Sequence, residues 1–164
     1  MLTIDQIGDV LDDAVDCLEG LRDSWEIPAL NEIESGIKIQ LHRDGQDHEG
    51  RLITDGVRFT SPRTPTNSYS SIYARRRQAA GRQTERADAN FSDGLINGYG
   101  VGRRSGRNVI DFQDDESRRK AGYLEELYQK ELFRPSDQLL EDAVEILTDG
   151  FERAAERCFN DLRI

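Results

Sequence analysis

The chain has few of the residues from which catalytic and metal sites are usually built. Its 164 residues include two histidines and two cysteines, and no CxxC motif. His42 and His48 lie near Asp44 and Asp47, but no further ligand completes a zinc site and the spacing matches no calcium loop. We interpret these four residues as solvated parts of a loop, with a divalent-ion site as the alternative.

Motifs that mark enzymes are also missing. No serine lies in a GxSxG motif, and the glycines between positions 94 and 106 match neither the P-loop nor the dinucleotide-binding pattern. The acidic helix residues, such as Asp12, Asp13, Glu125 and Glu126, are interpreted as solvated faces. The sequence thus predicts that the protein is not an enzyme and needs no cofactor and no metal.

Long hydrophobic runs are absent from the sequence. No stretch of eighteen apolar residues is present, so we expect no membrane span. The first residues are acidic, unlike the basic start of a signal peptide, and the cell interior is the expected compartment. Cys17 and Cys158 each fall on the apolar stripe of a predicted helix, which favours buried, reduced thiols over a disulfide.

Charge is sorted into three blocks along the chain. Residues 1–57 hold 14 acidic and 4 basic residues, residues 58–107 hold 3 and 10, and residues 108–164 hold 15 and 8. Such blocks allow copies of a molecule to meet through complementary potentials, although folding could mix them again. The total charge of −10 argues against DNA as the main ligand.

Hydrophobic spacing predicts a mainly helical α+β fold in a single domain over residues 1–164. Its N-terminal part, residues 1–43, is predicted to be helical, with one apolar stripe from Ile4 to Leu21 and a break at Pro28. Residues 44–67 contain spaced glycines and prolines, which predict a long extended loop.

The remaining residues, 68–164, are predicted to form a helix, a β-hairpin and two C-terminal helices. The predicted elements are a helix over 68–80, strands over 95–103 and 107–113, a helix to about Glu131 and a last helix after Pro135. We expect Gly81 to end the helix over 68–80 and Ser105–Gly106 to form the hairpin turn. Asp114 or Asp115 is expected to cap the helix that runs to about Glu131.

The last predicted helix carries an apolar seam with heptad-like spacing. The seam consists of Leu140, Val144, Leu147, Phe151, Ala154 and Cys158. Because neighbouring apolar residues widen it, the helix is expected to pack both on the domain and on something else. A central core helix is the alternative.

Aromatic and basic residues cluster in the basic block. Tyrosine and arginine supply large anchors at protein interfaces, and the same side chains can stack bases and bind phosphates. An exposed helix with cationic side chains is the third interpretation. The interface candidates are Tyr69, Tyr73, Arg75, Arg76, Arg77, Arg82, Arg103, Arg104, Arg107, Phe59 and Phe151.

Several short motifs follow one another in a characteristic order. They are Gly45-Gln-Asp-His-Glu-Gly50, Tyr69-Ser-Ser-Ile-Tyr-Ala-Arg-Arg-Arg77, Gly81-Arg-Gln-Thr84, Asp88, Phe91-Ser-Asp-Gly-Leu95, Lys120-Ala-Gly-Tyr-Leu-Glu125 and Phe133-Arg-Pro-Ser136. In this order, over residues 30–162, the chain resembles small virion-morphogenesis proteins of tailed phages, the neck or tail-completion family.

The resemblance implies a structural virion protein at the head–tail junction that acts by ring assembly and docking. Its implied partners are copies of itself in a homo-oligomeric ring and portal, connector or tail-tube proteins, with DNA passing through the ring. The implied location is the virion, after assembly in the host cytoplasm. Ser92-Asp93-Gly94 replaces the family's Thr-Gly and residues 51–66 look inserted, which leaves neck adaptor and tail terminator both open. The alternative function is a nucleic-acid-binding accessory protein that uses segment 69–107.

Overall fold

The computed structural model describes residues 4–54, 71–84, 87–88 and 94–161. Its elements are α1 (Ile4–Gly20), α2 (Arg22–Lys38), a π-helix (Ile39–Asp44), α3 (Ser71–Ala79), α4 (Gly94–Gly98), β1 (Tyr99–Arg104), β2 (Arg107–Phe112), α5 (Asp115–Tyr128) and α6 (Asp137–Asp161). The two strands form an antiparallel sheet. The fold is α+β and mainly helical, as predicted, whereas the assignment of residues 1–164 to a single domain stays a prediction.

The first two helices are separated by one residue, Leu21. Its backbone remains close to helical, at φ −94° and ψ 0°, so α2 continues roughly where α1 ends. The break predicted at Pro28 is wrong, because Pro28 lies inside α2. Its ring is exposed while the next residue, Ala29, is buried. Packing of α2 therefore outweighs the hydrogen bond that a proline removes from a helix.

Helix α6 packs antiparallel to α2, and a glycine on each helix accommodates a large side chain of the other. A Cβ atom at Gly150 would lie 2.7 Å from Cβ of Trp25, and one at Gly36 would overlap the Leu139 side chain. The two contacts are eleven residues apart on both helices, which is about three helical turns. This pair positions the rest of the molecule.

A disulfide joins α1 to α6. Cys17 and Cys158 are bonded, with Cα atoms 5.8 Å apart, so the prediction of reduced thiols is wrong. The apolar stripes on which both residues were placed do meet, because α1 and α2 run back along α6 in one register. Sequence spacing identified the stripes but not that they face each other.

The hairpin follows the predicted turn. Ser105 and Gly106 have φ values of 50° and 78°, which is the left-handed pair that a two-residue hairpin turn requires. The first strand begins at Tyr99, however, and residues 94–98, predicted as strand from Leu95, form the short helix α4. Tyr99, Phe112 and Phe133 pack their rings with centroids 4.9–5.5 Å apart and form an aromatic cluster at the core, which also contains Tyr128.

Three predicted helix ends are confirmed. Gly81 takes φ 68° after α3, the Asp114 carboxylate accepts a hydrogen bond from the Ser117 amide at 2.7 Å, and Ser136 Oγ accepts one from the Leu139 amide at 3.3 Å. Helix α5 ends at Tyr128 rather than Glu131, because Gln129 adopts a left-handed conformation.

The described part of the predicted loop is a compact turn. The amide of Asp47 donates to the carbonyl of Arg51 at 2.8 Å, and the amide of Ile53 donates to the carbonyl of Gly45 at 2.8 Å. Residues 55–67 of that prediction lie outside the described residues.

Candidate interaction surfaces

The predicted interface residues fall into different environments. Phe59 and Tyr69 lie outside the described residues. On α3, Arg75 and Arg76 are exposed while Tyr73 is half-buried. Arg82 is half-buried after the end of α3.

Arg77 is a buried structural residue, so its prediction as an exposed interface residue is wrong. Its side chain is 1% exposed, and its Nη2 donates to Oδ2 of Asp88 at 2.5 Å. Its Nε donates to the carbonyl oxygen of Gln83 at 2.8 Å. Helical spacing turns Arg77 inward, away from its neighbours Arg75 and Arg76, and a buried guanidinium requires such partners.

His42 belongs to the same structural network. It lies in the π-helix, where its Nδ1–H donates to the carbonyl oxygen of Asp88 at 2.6 Å. His48 instead contacts the carbonyl oxygen of Glu131 at 3.2 Å. The prediction that His42 and His48 are simply solvated loop residues is therefore wrong, since each is half-buried and holds a distant backbone segment.

A buried carboxylate, Asp47, joins the turn after the π-helix to the segment after α5. It is 0% exposed and accepts hydrogen bonds from Lys130 Nζ at 2.9 Å and Arg51 Nε at 3.1 Å. Burial alone would raise the pKa of Asp47, but the bonds from Lys130 and Arg51 outweigh it and lower that pKa. Asp47 thus connects two segments of the chain through its hydrogen bonds.

Glu125 also has a structural role rather than the predicted solvated one. Its Oε1 accepts hydrogen bonds from the amides of Leu132 and Phe133, at 2.9 and 3.2 Å. These bonds fix the turn that leads from α5 towards α6. No sequence pattern indicated these bonds, because the partners lie beyond the end of the helix.

The candidate arginines form two groups at opposite ends of α5. Buried Arg77 and half-buried Tyr73 lie near Tyr128 at the end of α5. In the hairpin, Arg104 contacts Asp111 at 2.7 Å, and Asp111 also contacts Arg118 near the start of α5. Because ten residues of helix span about 15 Å, the basic block does not form one continuous patch in the described part of the chain.

The hairpin tip is basic and exposed. Arg103, Arg104 and Arg107 all lie there, and Arg103 is 3.6 Å from Asp23 of α2. Arg107 forms no ion pair with any residue that the structure describes. It is therefore available to a carboxylate of another molecule.

Helix α1 exposes three large aliphatic side chains one turn apart. Ile7, Leu11 and Val15 are 47, 55 and 53% exposed, whereas Ala14 is 3% exposed. We call these three residues the α1 stripe. The helix has six acidic residues and no basic residue. The hydrophobic spacing predicts this stripe but not its exposure, and none of the predicted interface candidates lies on it.

A second apolar surface lies between α2, α6 and β2. Leu140 and Val144, 41 and 60% exposed, line one wall of a groove of about 310 Å³. Its other residues are Arg22, Glu26, Ala29, Leu30, Ile33, Arg107, Asn108, Ala143 and Leu147. We call it the α2–α6 groove. The predicted seam of α6 thus divides, since Leu140 and Val144 are exposed while Ala154 and Cys158 are buried.

Phe151, the last interface candidate, lies beyond the groove. Its ring stands edge-on to Trp25 with centroids 5.6 Å apart, and it remains 42% exposed. It covers the contact between Trp25 and Gly150 and is partly available to a neighbour.

Within residues 4–54, 71–84, 87–88 and 94–161, no group of three or more His, Cys, Asp or Glu side chains could hold a metal ion. None of the helices found there has the length and apolar character needed to cross a membrane. Neither protein-family models nor curated proteins nor solved structures gave a match to this chain.

Proposed function

We propose that this chain is a structural virion protein of a tailed bacteriophage. In this proposal it acts at the head–tail junction, as a neck or tail-completion subunit that assembles into a homo-oligomeric ring and docks on other virion proteins. The order of motifs between residues 30 and 162 supports the phage assignment. The exposed aliphatic side chains of α1 and α6 support assembly.

The exposed aliphatics carry the argument. Only 36% of the residues are hydrophobic, so the chain has few hydrophobic side chains with which to build a core. Even so, Leu11, Val15 and Val144 are more than half exposed. Large apolar patches on a polar protein mark sites that another molecule covers. Assembly explains why these side chains lie outside the core.

The titratable residues support a structural role over a catalytic one. Asp47, Arg77, Asp88 and Glu125 are each engaged with backbone groups or with an opposite charge inside the fold. A catalytic group must instead meet a substrate in a cleft. The polar chemistry of the described residues maintains the subunit's shape.

The direct test is genetic and uses whole particles. In a phage that carries this gene, deletion should yield filled heads and separate tails in lysates, and expression of the intact chain in trans should restore joined particles. Immunogold labelling of purified virions should mark the neck. Infectious particles from the deletion strain, or virions without the protein, would contradict the proposal.

Nucleic-acid binding is the second candidate function. Arg75 and Arg76 are exposed on α3 and form no ion pair with described residues, which leaves both free to meet phosphates. Retardation of DNA in a gel should then weaken steeply with salt and be lost in Arg75→Ala/Arg76→Ala. The buried Arg77 is excluded from the test because its replacement would disturb the fold. No retardation at low salt would eliminate this candidate.

A further inference from the structure

We propose that the α1 stripe of one copy docks in the α2–α6 groove of the next, so that the protein associates head to tail. This inference rests on the proposed function, which requires contacts between copies, and it names the two surfaces. The contact joins different surfaces of the same chain, and such heterologous contacts close into rings or extend into filaments.

The two surfaces match in length and form. The α1 stripe runs from Ile7 to Val15, about 12 Å of helix. Leu140, Val144 and Leu147 of α6 cover about 10 Å on one wall of the groove. The small residues Ala29 and Ala143 lie between the larger ones and leave room for aliphatic side chains. A helix that places residues of one face into a groove between helices is a common mode of recognition.

The charged residues beside the α1 stripe determine the orientation of α1 in the groove. Successive residues of a helix are rotated by about 100°, so Asp12, Asp16 and Glu19 lie beside the stripe on one side only. The other side of the stripe adjoins buried Ala14. In the proposed arrangement the acidic side faces the hairpin of the neighbour, where Arg107 has no ion-pair partner among the described residues.

Three acidic residues lie in or beside the groove and affect the orientation in which an acidic helix can dock. Glu26 lies in the groove but is paired with Arg22 at 2.5 Å and accepts a hydrogen bond from Asn108 at 2.9 Å. Glu141 and Glu145 are exposed beside Leu140 and Val144 on α6. They repel an acidic helix placed the other way round and so favour a single orientation.

The α1 helix that docks in a groove must belong to another copy, because α1 cannot reach the groove of its own chain. The disulfide holds Cys17 beside Cys158, with Cα atoms 5.8 Å apart. Val144 lies fourteen residues before Cys158 on α6, about 21 Å away, whereas Leu11 is only six residues, about 9 Å, from Cys17. The acidic α1 is thus held at the end of α6 that is remote from the groove.

Complementation between two variants tests the proposal. Leu11→Glu places a charge in the stripe and leaves the groove intact, while Val144→Glu does the reverse. Both side chains are more than half exposed, so both variants should fold, which far-UV circular dichroism checks. Native mass spectrometry should show self-association of each variant weakened by at least about tenfold. An equimolar mixture should form dimers, because one intact stripe then meets one intact groove.

Photocrosslinking supplies the positional evidence. Benzoylphenylalanine at Leu11 should crosslink two copies and map to Leu140–Leu147 or Ala29–Ile33, whereas the same probe at Asp13, on the opposite face of α1, should not. Crosslinks between two α1 helices, or variants that remain fully oligomeric, would overturn the head-to-tail contact. If such variants still join heads to tails, the proposed virion function survives and only this interface fails.

Discussion

Helices α1 and α2 follow one another along the chain but use their apolar residues in different ways. Helix α1 separates aliphatic from acidic residues clearly, yet exposes Ile7, Leu11 and Val15. Helix α2 is interrupted in sequence by Pro28 and Gly36, yet buries Ala29 and Ile37 against the rest of the fold. An amphipathic pattern therefore tells which face of a helix meets an apolar surface, but not whether that surface belongs to the same molecule.

The disulfide is the strongest constraint on α1, and its removal should have the largest effect. In Cys17→Ser/Cys158→Ala the free energy of unfolding should fall by roughly 2–5 kcal/mol, because the bond closes a very long loop. Hydrogen exchange should accelerate much more in α1 than in α2, since α2 keeps its packing on α6. Equal acceleration in both helices would contradict the proposed difference in packing between α1 and α2.

Removal of a buried acid should cost more than removal of an acid from α1. Asp47→Asn leaves Lys130 buried without its carboxylate, and should lower the free energy of unfolding by about 3 kcal/mol at neutral pH. The matched variant Asp12→Asn, on the exposed side of α1, should change it by less than about 0.5 kcal/mol. Urea titrations of the two variants give both values. Similar losses of unfolding free energy would contradict the expected difference between a buried and an exposed acid.

The same carboxylate predicts the pH dependence of stability. The pKa of Asp47 is lower in the folded chain than in the unfolded chain, where it is about 3.9. Its contribution is therefore complete above the unfolded pKa and disappears as the pH falls through the folded pKa. Between pH 5 and 3 the stability of Asp47→Asn should decline less steeply than that of the natural chain, which urea midpoints at each pH will show.

Glycine substitutions should have opposite signs in the two parts of the molecule. Gly150→Ala brings a Cβ atom to 2.7 Å from Cβ and 3.1 Å from Cα of Trp25, and should destabilise the fold by about 1–3 kcal/mol. Gly8→Ala in α1 meets no atom within 4 Å, and should stabilise the helix by up to about 1 kcal/mol. Thermal unfolding of the two variants measures both changes in stability. An unchanged stability of Gly150→Ala would mean that α2 and α6 separate easily.

The smallest effect on stability is expected in the α1 stripe. Leu11→Ala should change the free energy of unfolding by less than about 0.5 kcal/mol, because the side chain contributes little to the core of the isolated chain. Ile37→Ala, which truncates a residue 1% exposed, should cost about 2–5 kcal/mol. A large loss for Leu11→Ala in a monomer would show that α1 packs on its own chain.

Local chemistry made part of the fold predictable from sequence. Ser105–Gly106 suits a tight hairpin turn, Asp114 suits a helix N-terminus and Gly81 suits a helix end, and each requires only its immediate neighbours. These features follow from backbone geometry that a few residues determine. They do not depend on what packs against them.

Contacts between distant segments could not be predicted in this way. Pro28 remains helical only because α2 packs on α6, and Cys17 meets Cys158 only because of the register between helices. Arg77 differs from Arg75 and Arg76 through its position relative to Gln83 and to Asp88, eleven residues away. Among the candidate surfaces, the seam of α6 indicated Leu140 and Val144 in advance, whereas the exposure of α1 required the three-dimensional structure.

The only tryptophan of the chain gives the molecule a built-in optical reporter. Trp25 stands at the contact with Gly150 and Phe151, so its emission follows the separation of α2 from α6 and not events in α1. Far-UV circular dichroism, by contrast, measures all helices together. If the helical signal begins to fall on heating before the emission changes, a helix outside the α2–α6 contact melts first, and hydrogen exchange then shows whether that helix is α1.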